Sequence, residues 1–326
     1  LTQCQDITAP GTYYLLNNVS SNGTCFNILA DNVTLLCQGY MINYSIQEFG
    51  YGINISNNNK NILINNCTIY LGNTANPADN GGGIYAYNAD NVTVEHSTFY
   101  ERGNDDEAIY FQNTHDSTIQ NNNIYRTPGG WSCGIYLYGS DYTTVANNHI
   151  EGNMFCGIGL VSGSDQNNIS NNTIIHSYSG VFASGIYIES SKFNEFYNNK
   201  INTSHAPAFI IKGTSADYQN QTIPSNNLAE GKPINYTFGI SNVIYDGIDF
   251  TQFGQVIFSN CSNITIKNSN FSDDTLGLYF SKEVTVENSN FITDNSQGIK
   301  VIQSRVCLLN STFKTSCRAP AVELWI

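Results

Sequence analysis

The sequence has little charge, and little of that charge is positive. Charged residues make up 12% of the 326 residues, and 13 Lys and Arg stand against 26 Asp and Glu, for a formal net charge of −13. The basic residues form no cluster, which argues against binding to nucleic acid or to an anionic membrane surface. No apolar run reaches about 18 residues, so no segment is predicted to span a bilayer.

Other common signals are missing as well. Apolar residues do not recur at helical spacing, and no CxxC pair occurs among the nine cysteines. The five histidines are scattered, so the sequence predicts neither a zinc nor a copper site, which would need convergent His, Cys or Met ligands. The chain starts at Leu1 instead of Met, which we interpret as a mature form after removal of a signal peptide.

A repeat of 20 to 30 residues is present instead. Its clearest copy is GIYLYGSDYTTVANNHI at 134–150, in which Ile135 follows a glycine, Val145 comes ten residues later and Ile150 five residues after that. Apolar and polar residues alternate around these positions, which predicts strands with one buried face. The position of Val145 recurs as Leu35, Ile64, Val94, Ile119, Ile169, Phe196, Ile266, Val286 and Leu308.

Short strands with this period predict an all-β fold. We expect a single parallel β-helix of roughly ten or more coils, in which each strand pairs with its equivalent about 4.8 Å away. A β-propeller is the alternative, but its blades need about 40 residues and antiparallel hairpins. Asn stands two residues after most recurring positions, as in Asn66, Asn147 and Asn171, and we expect these side chains to form an inward-facing ladder at a tight corner.

The repeat covers most of the chain, so we predict one elongated domain. Residues 1–30 precede the regular repeat and are expected to cap the first coil, because an uncovered end coil would expose unpaired strand edges. Residues 31–317 form the predicted β-helix, with an irregular excursion over 202–256 where the period breaks. Residues 318–326 form a C-terminal tail.

The cysteine positions favour disulfides. Cys133 and Cys156 each precede the Gly-Ile that opens a coil, one coil apart, where stacked residues meet the Cα separation that a disulfide needs. Buried free cysteines in a reducing cell are the alternative, but an oxidising exterior is favoured. The predicted pairs are Cys133–Cys156, Cys4–Cys25 and Cys307–Cys317, with Cys37–Cys67 as a further pairing and Cys261 left free.

Sixteen Asn-x-Ser/Thr sequons occur. An Asn- and Thr-rich β-solenoid produces such motifs by chance, and Asn66, Asn171 and Asn310 fit this explanation because they fall in the expected inward ladder. Sequons at turns before strands would instead hold a glycan in solvent. The glycosylation sites that we predict are Asn32, Asn43, Asn54, Asn91, Asn202, Asn220, Asn235, Asn260 and Asn263.

Two stretches resemble a known family. One runs from Cys4 through PGTYYL and DNVTLLC, and the other is NNLAEGKPINYTFGISNVIYDG…GQVIFSNCSNITIKNSNF at 226–271. Both resemble the NosD-like, CASH-type right-handed parallel β-helix repeat proteins of archaea. The resemblance implies a right-handed helix and a secreted or cell-surface protein, in a family where some members act on polysaccharides. Fold alone does not decide the function.

Polar residues that follow three successive coils form the first candidate site. Stacking of the coils is expected to bring these residues to one edge of the β-helix. Carboxylates around an Arg with a nearby aromatic suit an acidic sugar or Ca²⁺, the only cofactor that we leave open. A solvated ion ladder of little energetic value is the alternative. Catalysis is less favoured, because GNDD at 103–106 faintly resembles polygalacturonases but their further His and Arg-Ile-Lys elements are missing. The candidates are Glu101, Asp105, Asp106, Arg126, Trp131 and Glu151.

Tyrosines form the second candidate site. Each follows the apolar residue that opens a coil, so all are expected to point outward on one face. High β-propensity and cross-strand aromatic pairing explain such a stripe without any function. A flat aromatic face that stacks against sugars or against another subunit is the functional alternative. The predicted stripe consists of Tyr85, Tyr110, Tyr136, Tyr187 and Tyr279.

These features favour a secreted structural glycoprotein, a β-helical subunit of a surface filament or surface layer. It would assemble head to tail with a second copy of itself through Leu324, Trp325 and Ile326 of the tail. The alternative is a carbohydrate-binding or polysaccharide-degrading β-helix that uses the edge at 101–151. The expected partners are therefore the chain itself, N-linked glycans and, in the alternative, a polysaccharide, at an extracellular or cell-surface location.

Overall fold

The computed structural model describes residues 1–56, 58–72, 81–102, 107–126, 130, 132–178, 183–203, 206–272, 276–293, 298–315 and 322–325. Within these ranges the chain is built of strands, with one four-residue 3₁₀ helix at Ala216–Gln219. The strands form a right-handed parallel β-helix of about 11 coils, which confirms the predicted fold class. In the part that is described, no helix has the length and apolar character to cross a membrane.

Three sheets form the sides of the β-helix in its N-terminal part, and we call them A, B and C. The nine strands of sheet A are β1 (Gln5–Ile7), β4 (Phe26–Ile28), β7 (Tyr51–Ile55), β10 (Gly82–Tyr87), β13 (Glu107–Gln112), β16 (Cys133–Tyr138), β19 (Cys156–Val161), β22 (Ser184–Glu189) and β25 (Phe209–Lys212). The eight strands of sheet B are β2 (Gly11–Tyr14), β5 (Val33–Leu36), β8 (Lys60–Asn65), β11 (Asp90–Glu95), β14 (Thr118–Gln120), β17 (Thr144–Ala146), β20 (Asn168–Ser170) and β23 (Glu195–Tyr197).

Sheet C continues through the whole molecule, and two smaller sheets, D and E, accompany its C-terminal part. The fourteen strands of sheet C are β3 (Val19–Ser20), β6 (Met41–Tyr44), β9 (Thr68–Leu71), β12 (Thr98–Glu101), β15 (Asn123–Arg126), β18 (His149–Gly152), β21 (Thr173–His176), β24 (Lys200–Thr203), β26 (Leu228–Ala229), β27 (Lys232–Phe238), β29 (Gln255–Ser259), β32 (Leu276–Tyr279), β35 (Ile299–Ile302) and β38 (Val322–Trp325). The other strands are β28 (Ser241–Asp246), β30 (Ser262–Lys267), β33 (Lys282–Glu287) and β36 (Val306–Leu309) in sheet D, and β31 (Asn270–Ser272), β34 (Asn290–Thr293) and β37 (Thr312–Thr315) in sheet E.

The apolar positions of the repeat are register partners in space. Ile119 pairs with Val145 and Val145 with Ile169 on sheet B, and all three side chains are fully buried. The glycine that opens a coil is required by packing at the corner between sheets C and A. A Cβ on Gly134 would lie 2.6 Å from Cγ2 of Ile150, closer than any real side chain tolerates. The Gly-Ile signature of the repeat therefore marks a close approach of two sheets.

The inward ladder of Asn exists, but it is one residue away from its predicted position. Asn66, Asn147 and Asn171 are exposed, with φ of 53°, 56° and 56°. They occupy the left-handed conformation that Asn tolerates better than most residues. This turn residue redirects the chain, so that the next residue points inward. The buried ladder consists of Asn122, Asn148, Asn172, Asn199 and Asn227.

Asn172 shows how the ladder is held. Its Oδ1 accepts hydrogen bonds of 3.0 Å from both the backbone N–H and the Nδ2 of Asn148. Its Nδ2 donates to the Val145 carbonyl oxygen at 2.8 Å and to Oδ1 of Asn199 at 3.0 Å. The side-chain amide is thus saturated while fully buried, and it ties together three successive coils.

The regular coil begins earlier than the sequence suggests. β1, β2 and β3 pair in register with β4, β5 and β6, so most of residues 1–30 belongs to the coil stack. Only the first four residues precede it. The Leu1 carbonyl accepts a hydrogen bond from the Leu16 N–H at 2.9 Å, and the Leu1 amino group donates to the Tyr14 carbonyl. Leu1 packs against the core, in which Leu15 is fully buried, and so covers part of the first coil.

Two segments of β-helix meet near the predicted excursion. Sheets A and B end at β25 and β23, whereas sheet C continues through the short antiparallel pair β26 and β27. Since β27 already pairs in parallel with β29, the irregular part is limited to 213–231 and is shorter than 202–256. Beyond the junction the repeat moves by one sheet, so that Leu278 lies in sheet C while Ile266 and Phe271 lie in sheets D and E.

The second segment covers the exposed edge of β25. The Gln255 side chain bonds to the backbone of Phe209 in both directions, accepting from its N–H at 2.8 Å and donating to its carbonyl oxygen at 2.9 Å. The Tyr279 hydroxyl donates to the same carbonyl at 3.1 Å. An edge strand that would otherwise offer unpaired backbone groups is therefore satisfied by side chains.

Disulfides join adjacent coils. The bonds are Cys4–Cys25, Cys37–Cys67 and Cys133–Cys156, with Cα separations of 4.6, 4.7 and 4.5 Å. Cys261 is buried and free, and Cys307 is exposed and free. Cys317, the predicted partner of Cys307, lies outside the described residues.

The C-terminal tail continues the sheet of its own chain. β38 pairs in parallel with β35, and Val301 is the partner of Leu324. The Leu324 side chain is 57% exposed. Ile326 and the side chain of Trp325 lie outside the described part of the chain, and the subunit contact of this tail stays a prediction.

The ladder predicts a large difference between two neighbouring substitutions. Asn172→Ala removes the saturated amide and leaves buried partners in the coils above and below, so we expect it to lower the free energy of unfolding by about 3 kcal/mol. Asn171→Gly, the matched control, keeps the left-handed turn and removes only an exposed side chain, so its effect should stay within about 0.5 kcal/mol. Urea unfolding of the two variants would measure this, and equal effects would contradict the ladder's role.

Candidate functional site

Outward-pointing tyrosines line one side of sheet A. Tyr85, Tyr110 and Tyr136 are register partners in β10, β13 and β16, and each side chain is partly buried. The next positions in this column are Gly159 and Tyr187. Partners on parallel strands stack along the β-helix, so these four tyrosines share one surface, which we call the tyrosine face.

Tyr279 is not part of this face. It holds the equivalent place in the repeat, after Leu278, but its side chain is fully buried. The cause is the junction, where the outer side of sheet C packs against β25 and the Tyr279 hydroxyl bonds to the Phe209 carbonyl. The prediction for Tyr279 is therefore wrong, because it assumed one uninterrupted helix.

The tyrosine rings form a continuous row of contacts. Tyr51 and Tyr85 are stacked with an interplanar angle of 17°, whereas Tyr110 is tilted by 53° against Tyr85 and lies edge to face against Tyr136 at 62°. Ring centroids lie 4.8 Å apart between Tyr51 and Tyr85, 5.2 Å between Tyr85 and Tyr110, and 5.4 Å between Tyr110 and Tyr136. The repeat does not predict Tyr51, because Asn54 holds the tyrosine position in β7. Tyr51 supplies the ring from three residues earlier in the same strand, where a search along fixed columns does not look.

Gly159 ends the accessible row. A Cβ at this position would lie 2.7 Å from Cδ2 of Tyr136, so the glycine leaves room for the Tyr136 ring. Beyond it, Tyr187 is only 5% exposed and packs edge to face against Phe155, with centroids 5.1 Å apart. Within this row, the rings that a ligand can reach are therefore those of Tyr51, Tyr85, Tyr110 and Tyr136.

Hydrogen-bonding groups accompany the rings. The Tyr85 hydroxyl donates to Oε1 of Gln112 at 2.8 Å, and the Tyr187 hydroxyl donates to Oε2 of Glu189 at 2.8 Å. Glu189 also lies 3.2 Å from the Lys212 ammonium. A second outward column thus runs beside the rings, and its register partners are Tyr87, Gln112, Tyr138, Val161, Glu189 and Lys212.

The tyrosine hydroxyls remain protonated. Burial raises the pKa of Tyr110 and Tyr136, and the nearby Glu107 carboxylate raises the pKa of both further. Burial and the hydrogen bond to Glu189 raise the pKa of Tyr187 as well. At neutral pH the Tyr110 and Tyr136 hydroxyls can donate hydrogen bonds to a ligand, but they are poor bases.

The structure separates the described residues of the predicted polar edge. Glu101 and Arg126 are register partners, but both side chains point into the β-helix and are 1% and 2% exposed. The Tyr44 hydroxyl donates to Oε2 of Glu101 at 2.8 Å. Glu151 is the partner of Tyr125 and points outward, where its Oε2 lies 3.2 Å from Nε2 of His149. Glu151 therefore does not join Glu101 and Arg126 as predicted, because alternate residues of a strand face opposite sides.

The remaining predicted site residues lie elsewhere. Asp105, Asp106 and Trp131 lie outside the described residues, so their roles stay predictions. In the described ranges, no group of three or more His, Cys, Asp or Glu is placed to hold a metal ion. A Ca²⁺ site at the early loops likewise stays a prediction.

A second aromatic column lies on the outer side of sheet C. Tyr70, Tyr100 and Tyr125 are register partners, with centroids 6.1 Å and 5.5 Å apart. The Arg102 guanidinium lies 4.7 Å from the Tyr70 ring centroid, and the His149 ring lies 5.9 Å from that of Tyr125. The predicted tyrosine stripe does not include this column, although each of its tyrosines directly follows a recurring Ile or Phe.

The sequons differ in accessibility. Among the predicted glycosylation residues, Asn32, Asn91, Asn202 and Asn263 are exposed, while Asn43, Asn54, Asn220, Asn235 and Asn260 are partly buried. Asn66, Asn171 and Asn310, which were expected to face inward, are exposed as well. The sequence argument against glycans at these three positions therefore fails, and glycosylation itself stays a prediction.

Comparison with known proteins agrees with the fold. Residues 16–174 match the family model described as the right handed beta helix region. The chain is thus a right-handed parallel β-helix protein. No curated protein matches its sequence.

Two solved structures are similar in fold. The A-module of mannuronan C-5 epimerase AlgE6 from Azotobacter vinelandii is 17% identical and aligns over 96% of this chain and 87% of its own, with a TM-score of 0.52. A mutant tailspike protein of E. coli bacteriophage HK620, in complex with a pentasaccharide, is 14% identical and aligns over 97% of this chain and 57% of its own, with a TM-score of 0.49.

A buried histidine lies on the inward column of Glu101 and Arg126. Gly152 pairs with both Arg126 and His176, which places His176 two coils beyond Arg126. His176 is 1% exposed, and its Nε2 lies 3.3 Å from the Phe155 carbonyl oxygen, which can only accept. Burial lowers the pKa of His176 from 6.5 to about 4.

This shift predicts a pH dependence of stability. The unfolded chain binds the His176 proton near pH 6.5 and the folded chain only near pH 4, so stability is lost as the pH falls between these values. In His176→Gln this loss is absent. We therefore expect the stability of the wild type, relative to the variant, to fall by about 3 kcal/mol between roughly pH 7 and pH 4. Urea unfolding across this range measures it, and parallel curves would show that His176 does not titrate in this way.

Proposed function

We propose that the chain is an extracellular carbohydrate-binding protein whose ligand lies along the tyrosine face. The observation that carries the proposal is the accessible row of Tyr51, Tyr85, Tyr110 and Tyr136, whose ring centroids lie 4.8 to 5.4 Å apart. This spacing is close to the rise of one coil, and it is similar to the length of one sugar unit in an extended glycan. Successive sugars can therefore meet successive rings.

The chemistry of the face suits a sugar. Aromatic rings offer an apolar surface to the C–H side of a pyranose, and polar groups at the ring edges bond to its hydroxyls. Here the protonated tyrosine hydroxyls donate, and the Gln112 amide both donates and accepts. Strands of a long sheet hold these groups in place, so little conformational entropy is lost when a ligand binds.

Binding without cleavage is the function that we propose for this face. A glycosidase needs two carboxylates about 5–10 Å apart on either side of the scissile bond. Among the described residues of the face, the two carboxylates are those of Glu107 and Glu189, which lie three coils apart, a distance of at least about 14 Å. Glu101 is buried, and the tyrosine hydroxyls are too weakly acidic to serve as bases.

Further observations support a polysaccharide ligand and an extracellular location. The similar epimerase acts on mannuronan by its name, so a polysaccharide ligand is compatible with this fold. Three disulfides are typical of oxidising environments outside the cell. We also propose that the exposed sequons are N-glycosylated and that the chain is related to the NosD-like, CASH-type proteins of archaeal surfaces.

As a second function we propose head-to-tail assembly into a surface filament. No described strand pairs with the far edge of β38, and Leu324 on that strand is 57% exposed. In the neighbouring coil Phe313 stacks on Phe291 at 4.8 Å and is itself partly exposed. The first coil of another copy could extend the sheet from this edge, and a contact between unlike ends propagates without closing.

Removing two rings tests the binding face. We expect Tyr110→Ser combined with Tyr136→Ser to weaken binding to a soluble polysaccharide about tenfold or more, since each aromatic contact contributes roughly 1 kcal/mol beyond its buried area. Affinity electrophoresis against a panel of neutral and acidic polysaccharides gives the measurement. Tyr100→Ser is the matched control, because this outward tyrosine lies on sheet C. An equal loss in the control would place the ligand elsewhere.

Truncation tests the filament. Deleting 318–326 removes β38 and should abolish polymers of the native protein while circular dichroism still reports the β-helix. Electron microscopy and light scattering distinguish the two states. If the truncated chain polymerises as before, the tail is not the contact.

A further inference from the structure

We infer that the ligand of the tyrosine face is an uncharged glycan and that this face rejects polyuronates. The inference rests on the proposed carbohydrate-binding function and adds the class of sugar. It reverses the expectation from the sequence, which paired an arginine with the carboxylate of an acidic sugar.

The charges of the strands carry the inference. The five strands β7, β10, β13, β16 and β19, which form the accessible part of the face, contain Glu107 and no Lys or Arg. Farther along the face, Glu189 adds a second carboxylate. The Lys212 ammonium lies 3.2 Å from Oε1 of Glu189, so its charge is already balanced there.

The field of Glu107 reaches the rings. Its carboxylate contributes to the raised pKa of both Tyr110 and Tyr136, which means that a second negative charge is disfavoured at either hydroxyl. A uronate stacked on these rings would place its carboxylate in the same field. The net charge of −13 adds a long-range repulsion of the same sign.

The nearby arginines are directed elsewhere. Proteins hold carboxylates most firmly with a bidentate arginine. Arg126 points into the β-helix and is 2% exposed, and the Arg102 guanidinium lies 4.7 Å from the Tyr70 ring centroid on sheet C. The described part of the face therefore offers hydroxyls, an amide and aromatic surface, which recognise a neutral sugar, and no guanidinium for an acidic one.

A matched pair of ligands tests this inference. Hexamers of neutral sugars (cello-, manno- and chito-oligosaccharides) are first titrated into the full chain by calorimetry. The tightest binder with a free C6 hydroxyl is then oxidised to its uronate form and titrated at roughly 0.02 M and 0.15 M NaCl. We expect the oxidised ligand to bind about tenfold more weakly or worse at low salt, with a smaller difference at high salt.

Two charge variants locate the effect. Glu107→Gln should bring the affinities of the neutral and the oxidised ligand closer together. Glu151→Gln, which removes an outward carboxylate on sheet C, should leave the ratio of the two affinities as in the wild type. A ratio that does not respond to Glu107→Gln overturns the electrostatic explanation.

The outcomes separate the two proposals. An oxidised ligand that binds as tightly as the neutral one, or more tightly, overturns the inference and leaves the carbohydrate-binding function intact. If no member of the panel binds, neutral or acidic, and the tyrosine double variant behaves like the wild type, the carbohydrate-binding function itself fails.

Discussion

Parallel pairing of each strand with its equivalent one coil later is the constraint on which the rest of this structure depends. It converts a position in the repeat into a column in space. Four features of the structure are such columns: the buried Ile of sheet B, the saturated ladder through Asn148 and Asn172, the disulfide between Cys133 and Cys156, and the row of tyrosines. Each is held by the same backbone ladder, so the core, the corners and the candidate site share one origin.

The sequence predicted which residues stack in columns, but it did not predict in every case whether their side chains point inward or outward. The repeat predicted the register of Val145 and Ile169, since apolar alternation determines which residues are buried. It could not tell Asn171 from Asn172, because the left-handed turn residue reverses the side that follows it. Local alternation also misled us at Glu101, whose long side chain was read as a surface charge although it stands two places after the inward Phe99.

Other differences arise from tertiary structure that no repeat encodes. Tyr279 obeys the tyrosine pattern and is nevertheless buried, because sheet C passes from one segment of β-helix to the next and its outer side meets β25. Tyr51 lies outside the pattern and nevertheless contacts Tyr85, because its ring reaches the row from three residues before Asn54 in the same strand. The shift of the repeat at the junction explains Tyr279, and the reach of the side chain explains Tyr51.

The position of Gly159 limits the length of ligand that can contact the tyrosine face. The row of tyrosine contacts runs from Tyr51, which also packs edge to face against Phe49, and stops where this glycine leaves the fifth place without a side chain. A ligand grown one unit at a time should gain affinity in steps until it covers the last ring, and then no more. The β-helix thus sets the number of sugar units that can contact rings. Inserting or deleting one whole coil would change that number by one, since each repeat contacts only its neighbours.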